Sequence, residues 1–172
     1  MEPQTKMSLE ELKIFNSLSD LKVVFDVGTR IDTNYIDLKP EAEYHLFEPN
    51  PEFFYELSKK INKKNKVFLN NYGLGSKEDK LSYNLGMQKF MEDGSSMVLP
   101  IKTLDWYMND KGIEKIDFLK IDTEGMDYEV LQGGYYSIKK TRYIQYEHWN
   151  DRLCFHDILD NDFILCYLGG RN

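Results

Sequence analysis

Residues 116–125 read IDFLKIDTEG, a short apolar run that ends in two carboxylates and a glycine. Such a run is typical of a buried parallel strand whose carboxyl end leads into a turn. Two earlier segments have the same form, namely residues 21–28, LKVVFDVG, and residues 43–48, EYHLFE. The repetition predicts several parallel strands that lie side by side in one sheet.

The segments between these runs have helical spacing. We predict helices over residues 8–18, 52–64 and 125–137 and a helix that starts at residues 103–109, with further strands over 66–71, 80–84, 143–147 and 163–168. Residues 85–96 predict a flexible loop. Strands that alternate with helices indicate βαβ units, so we expect an α/β fold with a mostly parallel sheet in a single domain.

Composition excludes several classes of protein. The 172 residues include 22 Lys and Arg against 29 Asp and Glu, a net charge of −7 that disfavours nucleic acid as a partner. No apolar stretch approaches the roughly 20 residues of a membrane helix, and the N-terminus does not resemble a signal peptide. Cys154 and Cys166 form no CxxC pair, which fits reduced thiols. We therefore expect a cytoplasmic protein with no membrane partner. The composition does not indicate an oligomeric state.

The ends of the predicted strands carry the main functional signal. Ligands of open parallel sheets bind beyond the carboxyl ends of the strands. The polar or glycine residues at these ends are Asp26, Gly28, Glu48, Asn71, Tyr72, Gly73, Asp122, Glu124, Glu147 and His148. Because four of the five strand ends include a carboxylate, we expect an acidic ligand site at this edge of the sheet.

The first two strand ends indicate the kind of ligand. Gly28 follows the first strand, where a residue without Cβ lets the backbone approach a ligand closely. Glu48 ends the second strand, where a carboxylate can accept both hydroxyls of a ribose. Together they favour an adenosine-type ligand, although an ordinary turn and a helix cap are the structural alternative. NAD is disfavoured because the G-x-G-x-x-G pattern is absent.

The later strand ends indicate chemistry. Lys120 and Asp122 share one face of a strand, and charges inside an apolar strand are costly unless they are paired or used. Glu147 beside His148 can act as a general base or as a hard-metal ligand. The alternatives are a structural pair of Lys120 with Asp122 and a structural His148. We do not favour bound Mg²⁺ and assign no metal ligand.

Six blocks in order along the chain carry a resemblance. They are VVFDVG at 23–28, HLFEPNPEFFYEL at 45–57, GLGS at 73–76, IKTLDWY at 101–107, DFLKIDTEGMDYEVLQGG at 117–134 and YIQYEH at 143–148. Together they resemble the FkbM family of S-adenosylmethionine-dependent methyltransferases. The resemblance implies a Rossmann-like, doubly wound fold of the class I methyltransferase type. Residues 21–172 would form the methyltransferase domain and residues 1–20 an N-terminal helical extension.

The resemblance also implies residue roles. Asp26 and Gly28 would hold the methionine part of S-adenosylmethionine, Glu48 the ribose, and residues 71–74 would lie beside the adenine. The full set of cofactor-binding residues that we predict is Asp26, Gly28, Thr29, Arg30, Asp32, Glu48, Pro49, Asn71, Tyr72, Gly73, Leu74 and Asp122. The predicted catalytic residues are Asp122, Glu124, Glu147 and His148.

One position departs from the family pattern. The family motif D-x-G-x-x-x-G has its last glycine where this chain has Asp32. That carboxylate would crowd the cofactor's carboxylate, pair with Arg30 or bind the cofactor's ammonium group. Two hypotheses follow: an O-methyltransferase that acts on a sugar or a related small hydroxyl compound, or a catalytically degenerate domain that keeps the fold as a binding module. Methylation of RNA or protein is a weaker third hypothesis.

Overall fold

The computed structural model describes residues 9–61, 66–84, 89–90, 97–147, 155–159 and 162–167. Its strands are β1 (Val23–Val27), β2 (Glu43–Phe47), β3 (Lys66–Asn70), β4 (Gly73–Leu74), β5 (Asp79–Asn84), β6 (Lys89–Phe90), β7 (Met97–Lys102), β8 (Ile116–Ile121) and β9 (Thr141–Tyr146). Its helices are α1 (Leu9–Ser17), α2 (Tyr35–Leu38), α3 (Pro51–Lys60), α4 (Leu104–Lys111), α5 (Asp127–Gln132), α6 (Tyr135–Ile138) and α7 (His156–Leu159).

The main sheet has five parallel strands in the order β3-β2-β1-β8-β9. The chain builds outward from β1 to β3 and then returns to the other side of β1, where β8 pairs with it. The strand order therefore reverses beside β1, which is where open parallel sheets bind ligands. The prediction of an α/β fold with a mostly parallel sheet is confirmed.

Helices cover both faces of this sheet because successive strand residues point to opposite sides. In β1, Val24 faces one apolar cluster, while Phe25 and Val27 face the other. The first cluster also contains residues of the first three helices, namely Phe15, Tyr35, Ile36 and Leu57. The second cluster contains residues of the next three, namely Leu104, Tyr107, Met108, Val130, Leu131 and Ile138.

A second sheet follows β3, with the order β4-β7-β5-β6. Its β5 runs antiparallel to both β6 and β7, while β4 pairs with β7 in parallel. The sequence predicted only β5 of these strands. The predicted loop over residues 85–96 lies mostly outside the described residues, and its described part, Lys89–Phe90, is strand β6.

Two further predicted elements differ from the structure. The helix expected over 125–137 is two helices, α5 and α6, which are separated at Gly133 and Gly134. Gly133 packs so closely on the turn after β4 that a Cβ there would lie 2.0 Å from the Gly75 carbonyl oxygen. The strand expected over 163–168 is wrong for residues 163–167, which form no strand, while residue 168 lies outside the described part. Phe163 packs against the core, but Ile164 is 88% exposed and Leu165 63%, so most of the apolar run that suggested a strand is not buried.

The N-terminal helix packs on the sheet. Phe15 of α1 is fully buried, with its ring 4.2 Å from that of Tyr35 and 4.9 Å from that of Phe118 on β8. Helix α1 thus shares a core with the sheet, although the division of the chain at residue 20 stays a prediction. Within the described part of the chain, no helix has the length and hydrophobicity that crossing a membrane requires.

Candidate functional site

An open pocket with about 530 Å³ of empty space lies at the carboxyl ends of β1, β2 and β8, where the second sheet meets them. The residues that line it are Val27, Gly28, Arg30, Phe47, Glu48, Pro49, Phe53, Gly73, Leu74, Tyr83, Asp122, Thr123, Glu124 and Met126. The pocket coincides with the point where the strand order reverses, as expected for a ligand site in this type of sheet.

Gly28 brings the ends of β1 and β8 together. Its φ of +81° lies in the left-handed region, and a Cβ at this position would lie 1.9 Å from the backbone oxygen of Asp122. The Asp122 N–H in turn donates to the Val27 carbonyl over 3.0 Å. Only glycine satisfies both the backbone angle and the close approach, so this residue determines the shape of the pocket floor.

Glu48 presents a buried carboxylate to the pocket and is only 3% exposed. Its Oε2 accepts a 2.8 Å hydrogen bond from the Arg30 backbone N–H, and its Oε1 accepts a 2.7 Å bond from the Asn50 N–H. Burial raises the pKa of Glu48 to about 7, although these N–H donors and the Arg30 charge act in the opposite direction. The carboxylate is therefore fixed in place and titrates near neutral pH.

Arg30 and Glu124 face each other across the pocket. Both have left-handed backbones, with φ of 60° and 56°, and their side chains approach to 3.4 Å. The guanidinium carbon of Arg30 also lies 5.4 Å from the centre of the Phe53 ring. Phe53 is placed by α3, which begins with Pro51 after Asn50, whose side chain caps the helix by accepting the Glu52 and Phe53 N–H groups.

Lys120 lies beneath the pocket between two carboxylates. Its Nζ is 3.2 Å from Asp26 and 3.2 Å from Asp122, and the residue is only 7% exposed. Burial opposes the charge, but the two carboxylates prevail and raise the pKa of Lys120 above its usual range. The pairing of Lys120 with Asp122, considered above as a structural alternative, is present, and Asp122 lines the pocket as well.

Asp127 connects the ends of β8 and β9. Its Oδ2 accepts hydrogen bonds from the Thr123 N–H and hydroxyl at 3.1 and 2.6 Å, and its Oδ1 accepts one from the Glu147 N–H at 3.0 Å. Burial raises the pKa of this carboxyl. Because Thr123 lies between Asp122 and Glu124, Asp127 holds the loop that presents both of those carboxylates.

The structure brings eight of the predicted residues together in the pocket lining, namely Gly28, Arg30, Glu48, Pro49, Gly73, Leu74, Asp122 and Glu124. Six others do not line it, namely Asp26, Thr29, Asp32, Asn71, Tyr72 and Glu147. The remaining one, His148, lies outside the described residues. The functional roles of all of these residues stay predictions.

Several residues outside the lining support it from behind. Asp26 is buried and pairs with Lys120, while the Thr29 hydroxyl donates to the Asp26 carbonyl over 2.8 Å. The Asn71 side chain donates to the backbone oxygens of Glu48 and Pro49 over 2.8 and 3.1 Å.

Tyr72 and Asp32 point to other parts of the molecule. The Tyr72 hydroxyl donates to Asn70 over 3.2 Å. The Asp32 side chain is 56% exposed and lies 3.4 Å from Lys60 on α3. Asp32 therefore forms an ion pair with Lys60, a partner that we did not expect from the sequence.

The predicted site residues do not include six residues of the lining, namely Val27, Phe47, Phe53, Tyr83, Thr123 and Met126, or Asp127 behind it. Phe53 had a detectable signal, since it lies in the first turn of the helix that follows Glu48. Tyr83 had none, because it enters from β5 of the second sheet. Burial raises the pKa of Tyr83 to about 12, against the effect of a side-chain hydrogen bond with Asn50.

The described residues contain no group of three or more His, Cys, Asp or Glu side chains arranged to hold a metal ion. The acidic and basic side chains that line the pocket are instead three carboxylates, on Glu48, Asp122 and Glu124, and the guanidinium of Arg30. This lining carries an excess of negative charge, which suits a ligand that bears a positive charge.

The fold and the pocket define an α/β domain with an open pocket at the carboxyl edge of a parallel sheet. The chain belongs to the FkbM methyltransferase family, because the family model described as "Methyltransferase FkbM domain" matches residues 26–168. A crystal structure of methyltransferase FkbM from Methylobacillus flagellatus KT shares the fold, with a TM-score of 0.51 and 15% identity over 73% of this chain and 34% of that one.

Two curated relatives are similar in sequence. The hexuronic acid methyltransferase AglP of Haloferax volcanii is 31% identical over 120 residues, which cover 64% of this chain and 49% of the relative. The 2-O-methyltransferase NoeI of Sinorhizobium fredii is 18% identical over 157 residues, which cover 76% of this chain and 65% of the relative. The chain thus spans between about half and two thirds of the length of these relatives.

Proposed function

We propose that this chain is an S-adenosylmethionine-dependent methyltransferase that methylates a hydroxyl oxygen of a sugar-type acceptor. The observation that carries the proposal is the buried Glu48 carboxylate, which lines the pocket at the end of β2. Membership in the FkbM family supports the reaction class. The two relatives, named for hexuronic acid and for 2-O methylation, support a sugar-type acceptor.

The residues of the pocket fit this cofactor. Glu48 uses its oxygens to accept two backbone N–H groups, and the remaining lone pairs suit the two ribose hydroxyls. Gly28 leaves the end of β1 open for a close backbone approach. When bound, the cofactor supplies an electrophilic methyl group on a positively charged sulfonium. Asp122 and Glu124 give that side of the pocket the complementary negative charge.

We propose that one of the same two carboxylates receives the proton of the acceptor hydroxyl. Asp122 is held by Lys120, and in the ligand-free pocket Glu124 pairs with Arg30. With the cofactor bound, transfer would join the acceptor oxygen to the methyl carbon as the carbon–sulfur bond breaks, and Asp122 or Glu124 would take up the hydroxyl proton. Most of the protein's contribution is alignment of the reactants and removal of this proton. Glu147 and His148 stay proposed as alternative bases.

The proposal is tested by a methyl-transfer assay with defined acceptors. The purified chain is incubated with S-adenosylmethionine and, in separate reactions, with neutral hexoses, hexuronates, and small disaccharides of each. We expect S-adenosylhomocysteine to form only when a sugar is present, with a product heavier by one methyl group in place of a hydrogen. Binding of S-adenosylhomocysteine with no transfer to any of these acceptors would contradict the proposal and support the degenerate binding module instead.

A further inference from the structure

Arg30 is exceptional among the described residues that line the pocket, because it alone carries a positive charge. The other ionisable side chains of the lining that carry charge are those of Glu48, Asp122 and Glu124. Lys120 lies below the lining and is enclosed by Asp26 and Asp122. The three carboxylates would attract a positively charged ligand without Arg30. The guanidinium must therefore have another role in the pocket.

The backbone holds Arg30 toward the pocket. Its φ of 60° is left-handed, and that of Glu124 is 56°, conformations that cost free energy for residues other than glycine. Such conformations persist where the surroundings impose them and cluster at ligand sites. For Arg30, the constraint is the 2.8 Å hydrogen bond from its N–H to Glu48, while the Phe53 ring, 5.4 Å away, supports the guanidinium.

The ion pair between Arg30 and Glu124 can be exchanged. At 3.4 Å it is longer than the roughly 2.7–2.9 Å of a strong charge-assisted hydrogen bond. The two side chains are 24% and 34% exposed, and pairs that contact water contribute little to stability. A carboxylate on a ligand that accepted two N–H groups of the guanidinium fork would therefore compete well with Glu124.

We propose that Arg30 binds a carboxylate of the ligand and that this carboxylate replaces Glu124 as its partner. The released Glu124 side chain then faces the acceptor hydroxyl. The inference rests on the proposed function and adds a chemical class to it. Two ligands supply such a group, namely the aminoacyl part of S-adenosylmethionine and a hexuronate-type acceptor.

The test compares ligands that differ by the carboxylate. Calorimetry measures binding of S-adenosylhomocysteine and of 5′-methylthioadenosine, which lacks the aminoacyl carboxylate, to the wild type, Arg30→Gln and Arg30→Lys. Binding of D-glucuronate and of D-glucose is then measured with the protein saturated by S-adenosylhomocysteine. The matched control is Arg142→Gln, because Arg142 also lies over an aromatic ring, that of Tyr143 at 4.7 Å, but does not line the pocket.

If the carboxylate that Arg30 binds belongs to the cofactor, Arg30→Gln should weaken the binding of S-adenosylhomocysteine about tenfold or more. The affinity for 5′-methylthioadenosine should then be unchanged. If the carboxylate belongs to the acceptor, the affinities for both nucleosides should be unchanged, and the affinity for glucuronate should fall about tenfold or more. Arg30→Lys keeps the charge without the fork, so its affinity should lie between those of the wild type and Arg30→Gln. Thermal unfolding of each variant checks that the fold is retained.

Two outcomes overturn the inference, and they differ. If the wild type binds S-adenosylhomocysteine and Arg30→Gln matches it for every ligand, the inference is wrong and the proposed function stands. If the wild type binds neither nucleoside, the proposed function is wrong and the inference fails with it.

Discussion

The Oε2 atom of Glu48, at the end of β2, accepts a 2.8 Å hydrogen bond from the backbone N–H of Arg30, in the loop after β1. This bond joins the residue that we propose for the ribose to the residue that we propose for a carboxylate. It also helps to hold Arg30 in its left-handed conformation. Changes at Glu48 should therefore affect the whole of this side of the pocket.

Binding of the cofactor should depend on pH through Glu48. Its pKa is raised by burial to about 7, so acidification below neutrality protonates it and removes its charge and part of its acceptor capacity. We expect the affinity for S-adenosylhomocysteine to fall by up to about tenfold per pH unit below pH 7. Calorimetry between pH 5.5 and about 8 measures this. An unchanged affinity across that range would show that Glu48 does not bind the ligand as a carboxylate.

The Glu48 carboxyl should also make the stability of the fold depend on pH, but in the opposite direction: stability should fall as the pH rises. Because the pKa of Glu48 rises from its usual value near 4.5 to about 7, the folded state retains a proton that the unfolded state has lost. Its contribution to the free energy of unfolding should fall by about 3 kcal/mol as the pH rises through this interval and then level off. Urea unfolding of Glu48→Gln and the wild type isolates the effect, since only the wild type should show this slope. Parallel curves for the two proteins would contradict it.

Gly28→Ala should be much more damaging than Gly112→Ala. Both glycines have positive φ, of 81° and 64°, but a Cβ at Gly28 would lie 1.9 Å from the Asp122 oxygen, whereas one at Gly112 meets nothing within 4 Å. We expect about 1 kcal/mol of destabilisation at Gly112 and about 3 kcal/mol or more at Gly28, with loss of nucleoside binding. Urea unfolding and calorimetry measure both effects. Equal losses of stability would mean that backbone angle alone explains Gly28.

Removal of Lys120 should be costly because two carboxylates would lose their partner. Lys120→Met should destabilise the protein by about 3–5 kcal/mol, and the double variant with Asp26→Asn should lose less than the sum of the two single changes. A double-mutant cycle measured by urea unfolding should give a coupling of about 1–3 kcal/mol. The control cycle uses the exposed pair of Lys59 and Glu56, 2.8 Å apart, for which we expect a coupling free energy of about 0.5 kcal/mol. Additive losses for the buried pair would contradict the prediction.

Asp127→Asn should impair methyl transfer as well as stability, because Asp127 holds the loop that carries Asp122 and Glu124. The amide retains one acceptor oxygen where the carboxylate has two. The free energy of unfolding of the variant should therefore fall by about 1–3 kcal/mol, and its rate at saturating substrate should fall about tenfold. Asp105→Asn is a close control, since Asp105 likewise accepts two backbone N–H groups and one hydroxyl, from Tyr136 and Ser137.

The control should lose similar stability without a loss of rate, because Asp105 holds Tyr136 and Ser137, neither of which lines the pocket, whereas Asp127 holds Thr123, which does. Unfolding by urea and the methyl-transfer assay are applied to both variants. Equal effects of the two changes on the rate would contradict a positioning role for Asp127.

The central strands could be predicted because their signals are local. The apolar runs before Asp26, Glu48 and Asp122 are buried on both faces of the sheet, and the residues after them necessarily lie at one edge. For the same reason, eight predicted residues line one pocket. The position of Lys120 inside an apolar strand predicted that its charge would be paired or would serve the site, and it is paired with Asp26 and Asp122.

The rest depends on contacts between distant segments. Strand β7 contains Pro100, and β4 has only two residues, so neither has the usual pattern of a strand. Tyr83 enters the pocket only because β5 pairs with β7 beside the main sheet. The apolar run at 163–167 predicted a strand wrongly, because such a run forms one only where a neighbouring strand receives it. The direction of Asp32 toward Lys60 likewise depends on where α3 packs.

The most direct measurement is calorimetric binding of S-adenosylhomocysteine to the wild type, Glu48→Ala and the control Glu56→Ala, which changes an exposed residue of the same region. We predict one site per chain in the wild type and the control, and affinity weakened about tenfold or more in Glu48→Ala. No binding to the folded wild type at a ligand concentration of about 1 mM, or equal affinity in all three proteins, would contradict the proposed cofactor site at Glu48.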